Sequence, residues 1–172
     1  MKTGLEGVAE HVAADVSTAA DNAVANGIIK AGEEAGTEGV VNVGAADGGV
    51  WDLPPIARGN AIEQLVGANL PRTFPTIDVF ENGVATSIKS IDLTAASCQD
   101  ADVLTSRVNG YIDRLASFQG GKLGEFNIQE NMVNSRVLML VIKPGGAAAE
   151  QQAALDTLQS EFGAMLKIMG IP

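Results

Sequence analysis

The stretch TIDVFENGVATSIKSID, residues 76–92, decides the fold because it predicts a β-hairpin with polar side chains on one face. Asn82-Gly83 is the strongest short signal for a two-residue hairpin loop, since both residue types tolerate the positive φ of a type I′ turn. With that loop, Asp78 lies opposite Ser87, and Lys89 follows two residues later on the same face. The pattern therefore places an acid, a hydroxyl and an ammonium together on adjacent strands, which is more than core packing requires.

The segments around the hairpin predict an α/β fold. Pro54 and Pro55 exclude a helix before them, and Gly120-Gly121 and Pro144 interrupt regular structure later in the chain. Apolar spacing then predicts helices over residues 56–70, 101–118 and 147–168, a short strand over 126–128 and a buried central strand over 136–142. The order helix, hairpin, helix, strand, helix implies a mixed sheet flanked by helices.

Composition divides the chain of 172 residues into an Ala/Gly-rich leader, residues 1–50, and a main domain, residues 51–172. The leader holds eight acidic residues against two lysines, and its alanines favour helix over about residues 5–31. Repeated glycines from residue 32 to residue 49 weaken any long element there. We therefore expect a marginal helical segment or a linker.

The net charge of −10 argues against nonspecific coating of nucleic acid, because lysine and arginine drive phosphate binding. Nine of the eleven basic residues follow residue 50, so the composition is compatible with a localised basic groove in the main domain. Cys98 is the single cysteine and His11 the single histidine, which excludes an intramolecular disulfide and a multi-histidine zinc site. No run approaches the roughly 18 apolar residues of a membrane span, so we expect no stable span.

A carboxylate pair with a lysine suits metal-assisted cleavage of phosphodiesters. Carboxylate oxygens bind Mg²⁺ or Mn²⁺, which polarises a phosphate, and an ammonium can orient the attacking water. Asp78 and Lys89 come from the hairpin, and Glu63 on the preceding helix can approach the same face.

Several short motifs carry a family resemblance: RGNAIE from Arg58 to Glu63, FPTID from Phe74 to Asp78, SIKSIDL from Ser87 to Leu93, and YID from Tyr111 to Asp113. Together they resemble the nuclease toxin domains at the C-termini of contact-dependent growth inhibition proteins, over about residues 51–145. The resemblance implies the restriction-endonuclease-like, or PD-(D/E)XK, fold. The leader matches only in position, where such toxins carry a segment concerned with import into the target cell.

The resemblance also implies roles for individual residues. Glu63 matches the helix acid, Asp78 the metal-binding aspartate and Lys89 the lysine of the final (D/E)XK element. Ser87 stands where that element has an acid, so Glu63 is expected to supply the missing charge. The Ile88 carbonyl is expected to ligate the ion together with Glu63 and Asp78.

We expect a metal-dependent toxin nuclease that cleaves RNA, with tRNA as the first candidate. The alternative is a DNase of the same fold. Candidate phosphate contacts are Arg58, Arg107, Arg114 and Lys122. The resemblance further implies a cognate immunity protein and delivery, as part of a larger secreted or cell-surface protein, to the target-cell cytoplasm. The alternative from another functional class is a binding module without catalytic activity. Such a module would not need Glu63, Asp78 and Lys89 to lie close together.

Overall fold

The computed structural model describes residues 49–172, so the helices predicted for the leader lie outside the described residues. A four-stranded sheet in the order β1-β2-β5-β6 forms the centre, and β3 and β4 form a separate two-stranded sheet. The strands are β1 Val79–Glu81, β2 Val84–Ile91, β3 Gly120–Leu123, β4 Phe126–Gln129, β5 Ser135–Ile142 and β6 Leu166–Gly170. The helices are α1 Pro55–Leu65, α2 Ala101–Ala116 and α3 Ala149–Phe162. This is the predicted mixed sheet flanked by helices.

The predicted hairpin is confirmed. Asn82 and Gly83 both have positive φ, at 50° and 81°, as a type I′ loop requires. β1 and β2 pair antiparallel, with Phe80 opposite Ala85 and Glu81 opposite Val84. β2 then pairs in parallel with β5, and β5 in parallel with β6.

The sheet is buried on both faces. Along β5, Leu138 and Leu140 belong to one hydrophobic cluster, which includes the apolar faces of α2 and α3. Met139 and Val141 belong to a second cluster, which includes Ile62 of α1. Alternate residues of a strand point to opposite faces, so a strand covered on both sides is apolar throughout. This explains the continuous run RVLMLVI.

The last helix ends earlier than predicted. α3 stops at Phe162, and Gly163 follows with φ of 51°. The chain then forms β6, in which Leu166 is buried in the first cluster and Met169 packs against the second. Residues 166–168, which the apolar spacing predicts as the end of the helix, therefore lie in a strand. The strand forms because it pairs in parallel with β5, and sequence periodicity does not reveal that partner.

Two other boundaries differ from prediction. α1 ends at Leu65 instead of residue 70, and the backbone N–H groups of Asn69 and Leu70 donate to the Asp78 carbonyl. α2 ends at Ala116, and Gly120-Gly121 begins strand β3, which pairs with the predicted short strand β4. Among the described residues, no helix is long and apolar enough to cross a membrane.

Candidate active site

The backbone of Asp78 is fixed on both sides where β1 begins. Its N–H donates to the Thr86 carbonyl at 2.8 Å, and its carbonyl accepts from Asn69 and Leu70 at 3.2 Å each. The Asn69 side chain also exchanges hydrogen bonds with the backbone of Phe80, at 2.9 and 3.2 Å. The loop after α1 therefore holds the edge of the hairpin and, with it, the position of Asp78.

The Asp78 carboxylate contacts Ser87 and Lys89, the two polar residues that the hairpin pattern places near it. Its Oδ2 accepts from the Ile88 N–H at 2.6 Å and from Lys89 Nζ at 3.3 Å, with Ser87 Oγ at 3.5 Å. Lys89 Nζ also donates to the Ile88 carbonyl at 2.8 Å. Ser87 is buried, whereas the Lys89 side chain keeps about a third of its surface exposed. The Lys89 ammonium is therefore held by two protein acceptors, while its side chain stays partly exposed and lines a cavity.

Glu63 reaches this group from α1. Desolvation raises the pKa of its carboxyl above the ordinary value, and the negative charge of Asp78 raises it further. The positive charges of Lys89 and Arg72 act in the opposite direction but do not cancel the shift. Two partly desolvated carboxylates near each other make a site in which a bound cation would relieve repulsion.

A cavity of about 400 Å³ opens over these side chains. Glu63, Asp78, Ser87 and Lys89 line it, and so does Arg114, which was predicted as a phosphate contact. Arg72, Phe74, Thr76 and Tyr111 complete the lining. The cavity therefore combines two carboxylates with three basic side chains.

The sequence interpretation missed Arg72 and Tyr111 as lining residues. Arg72 lies in the loop just before Asp78, and Tyr111 precedes Arg114 by three residues, which places both on one face of α2. Proximity in the chain to Asp78 and helical spacing from Arg114 are the signals that identify them.

Three other predicted phosphate contacts are not among the residues that line the cavity. The Arg58 guanidinium lies 5.4 Å from the Trp51 ring centre and 3.6 Å from an Asp92 oxygen. Arg107 donates to the Cys98 sulfur at 2.9 Å, and Lys122 is an exposed residue of β3.

Residues 58–162 match the model of a family described as the CDI toxin restriction endonuclease-like domain. The chain belongs to this family. The solved structure titled "CdiA-CT/CdiI toxin and immunity complex from Yersinia pseudotuberculosis" is similar, with a TM-score of 0.52 and 18% sequence identity. That similarity covers 70% of this chain and 100% of the other, and at this identity it shows the fold alone. No curated protein matches the chain.

Membership of the CDI toxin restriction endonuclease-like family confirms the α/β restriction-endonuclease-like fold and supports a toxin nuclease. Proteins of this fold usually bind divalent metals. Within residues 49–172 no group of three or more Asp, Glu, His or Cys side chains could hold a metal. Mg²⁺, however, commonly uses one or two carboxylates, with waters and substrate phosphates supplying the rest. Glu63 and Asp78 supply two such carboxylates to one cavity, whereas Ile88 does not line this cavity and its carbonyl accepts a hydrogen bond from Lys89 Nζ.

Proposed function

We propose that this CDI toxin domain is a metal-dependent endonuclease whose centre is the cavity formed by Glu63, Asp78 and Lys89. The observation that supports it most is the Asp78 carboxylate, which accepts hydrogen bonds from both Ile88 and Lys89 beside a second carboxylate of raised pKa. A surface that only binds a partner has no reason to collect like charges in a partly desolvated cavity, because that arrangement costs stability.

Glu63, Asp78 and the Ile88 carbonyl would hold the divalent ion, Mg²⁺ or Mn²⁺. When bound, such an ion polarises the phosphate and lowers the pKa of the attacking water. The Lys89 ammonium donates hydrogen bonds from a fixed position, so it can orient that water or neutralise charge on the phosphate. Ser87 Oγ donates a long hydrogen bond, of 3.5 Å, to Asp78 Oδ2 and so helps to orient this carboxylate.

Arg72 and Arg114 supply positive charge in the same cavity and can hold the substrate phosphate. Arg58, Arg107 and Lys122 remain our candidates for phosphates more distant from the cut. Arg58 and Arg107 would need to leave their present partners, or to share them, in order to make such contacts.

We propose RNA, and tRNA in particular, as the substrate. The described residues carry more acidic than basic side chains, so the domain should not grip every polyanion. A small basic cavity on an acidic protein suits a defined folded target, because shape can then supply the specificity that charge does not. DNA is the second candidate, favoured by the restriction endonuclease-like description of the family.

We also propose that a cognate immunity protein binds this domain. The similar Yersinia pseudotuberculosis structure is a toxin and immunity complex, and an unrestrained nuclease would poison the cell that makes it. An inhibitor that covers the cavity should present acidic side chains to Arg72, Lys89 and Arg114. Arg114→Glu should then weaken both cleavage and inhibitor binding, and unchanged inhibition would contradict this model.

Delivery completes the proposal. We propose that the domain enters target cells as part of a larger secreted or surface protein and acts in their cytoplasm. Residues 1–50 would serve as the import segment or as a linker. A protein that consists of residues 51–172 only, and is expressed inside cells, should therefore remain toxic.

The decisive experiment compares Lys89→Met with Lys143→Met, which changes the exposed lysine that directly follows β5. Each purified protein is incubated with total RNA, purified tRNA and plasmid. We expect Lys89→Met to lose at least about 100-fold in rate, as removal of a group that stabilises transition-state charge commonly does. Lys143→Met should cleave like wild type. Equal activity of the two variants would refute the site, and wild type that binds RNA without cutting it would favour a binding module.

A further inference from the structure

A second cavity, of about 540 Å³, lies beside the first and shares Thr76 and Arg114 with it. The residues that line it on the far side include Pro75, Asp113, Ser117 and Gln119. It is a shallow and largely open depression, unlike the enclosed pockets that are usual for small-molecule sites, so it suits a group that lies on the surface as part of a longer ligand. A ligand that reaches from one cavity to the other must pass Arg114.

The wall between the cavities is a tight turn that directly precedes Asp78. Thr76 has φ of 69°, which is rare for a β-branched residue, and the Ile77 N–H donates to the Pro75 carbonyl at 2.8 Å. Gly121 packs closely behind it, since a Cβ there would lie 3.1 Å from the Phe74 ring. Strained backbone of this kind persists only where its surroundings determine it, and it is concentrated at functional sites. The turn therefore fixes the second cavity relative to Asp78.

The two cavities differ in charge. The first holds Arg72, Lys89 and Arg114 together with the carboxylates of Glu63 and Asp78, whereas the second shares Arg114 and adds the exposed carboxylate of Asp113 and the amide of Gln119. The first cavity holds three cations and the second only Arg114, so the phosphate is drawn to the first, while the Asp113 carboxylate can accept hydrogen bonds from the N–H groups of a base. A nucleotide that spans the cavities is therefore oriented with its phosphate toward Arg72, Lys89 and Arg114 and its base toward Asp113.

Building on the proposed function, we propose that the second cavity is a subsite for one unpaired nucleoside that flanks the scissile phosphate. Asp113 only accepts hydrogen bonds, so it selects a base with adjacent donors. Guanine satisfies this condition best, because its N1–H and N2 amino group lie side by side on the Watson–Crick edge. Gln119 can both donate and accept, and Arg114 holds the connecting phosphate.

The test uses single-stranded oligonucleotides, as RNA and as DNA, that differ only in the base next to the cleaved bond. For wild type we expect kcat/KM to be at least about 5-fold higher with guanine than with uracil or thymine, the scale of one two-donor base contact. Asp113→Ala should reduce this ratio to near one. Asp102→Ala, an exposed aspartate on the first turn of the same helix, is the matched control and should keep the ratio.

Two results separate this subsite from the nuclease itself. If wild type cleaves every oligonucleotide equally, or if Asp113→Ala keeps the guanine preference, the subsite is refuted while the nuclease stands. If wild type cleaves none of them, the proposed function fails on these substrates, and titration with guanosine monophosphate decides the subsite. Chemical-shift changes at Gln119 and Gly120 that disappear in Asp113→Ala would support it, and their absence in wild type would refute it.

Discussion

Replacing Asp78 by Asn and by Ala separates its chemical role from its structural one. The carboxylate accepts a 2.6 Å hydrogen bond from the Ile88 backbone, and only 14% of the side chain is exposed. Asn keeps an oxygen that can accept this bond but removes the negative charge. Ala removes both. We therefore expect both variants to lose cleavage, by at least about 100-fold, but to differ in stability.

The stability difference follows from the contacts. A hydrogen bond to a charged group contributes about 1.5–3 kcal/mol, and the partly exposed ion pair with Lys89 adds at most about 1 kcal/mol. Relief of repulsion with Glu63 offsets part of this loss in the absence of metal. Asp78→Ala should then reduce the free energy of unfolding by about 1–3 kcal/mol, and Asp78→Asn by less than about 1 kcal/mol.

Urea unfolding in the presence of a chelator measures both values, and Trp51, the single tryptophan, is a buried fluorescent reporter. Equal destabilisation by Asn and Ala would refute the assignment of the Ile88 hydrogen bond. Wild-type cleavage by folded Asp78→Asn would refute the catalytic role of the carboxylate.

Three further predictions concern other residues. Because the folded-state pKa of Glu63 is raised, the folded protein binds more protons than the unfolded chain between the two pKa values, so stability falls as pH rises through that window. Glu63→Gln should remove this slope in urea unfolding curves measured from about pH 4 to pH 7 without metal. Gln151→Leu should cost about 2–4 kcal/mol, because the buried amide donates to two backbone carbonyls at 2.6 and 2.9 Å. Arg72→Met should lower kcat/KM about 10-fold while unfolding stays within about 0.5 kcal/mol of wild type, as expected for an exposed side chain.

Each of these three predictions has a matched control variant or a result that would contradict it. Exposed Gln152→Leu should unfold within about 0.5 kcal/mol of wild type, and a loss equal to that of Gln151→Leu would refute the role of the buried amide. A pH slope that persists in Glu63→Gln would assign it to another group. Full activity of Arg72→Met would remove this residue from the substrate contacts.

The hairpin and the central group of the site could be predicted because their determinants are local. Asn82-Gly83 sets the turn, the turn sets the register, and the register places Asp78 near Ser87 and Lys89. Glu63 required in addition that α1 lie close enough to the hairpin for its carboxylate to line the cavity with Asp78 and Lys89. The raised pKa of Glu63 agrees with that placement.

Features that depend on distant packing were not predictable in this way. Strand β6 forms because β5 offers an open edge, and its five residues look like the end of an amphipathic helix when read alone. Arg58 and Arg107 were predicted as phosphate contacts, a role that stays untested. Their contacts with Asp92, Trp51 and Cys98 depend on a tertiary arrangement that no sequence spacing specifies.

We propose that the cavity around Glu63, Asp78 and Lys89 is a cation-dependent nuclease centre. Its most direct test is a titration of Mg²⁺ and Mn²⁺ into chelator-treated wild type and Asp78→Asn, with tRNA and plasmid cleavage followed side by side. We predict no cleavage before metal is added, saturable cleavage of tRNA by wild type afterwards, and at least about 100-fold less by Asp78→Asn at every concentration. Cleavage that continues in chelator, or that rises equally in both proteins, would contradict the claim.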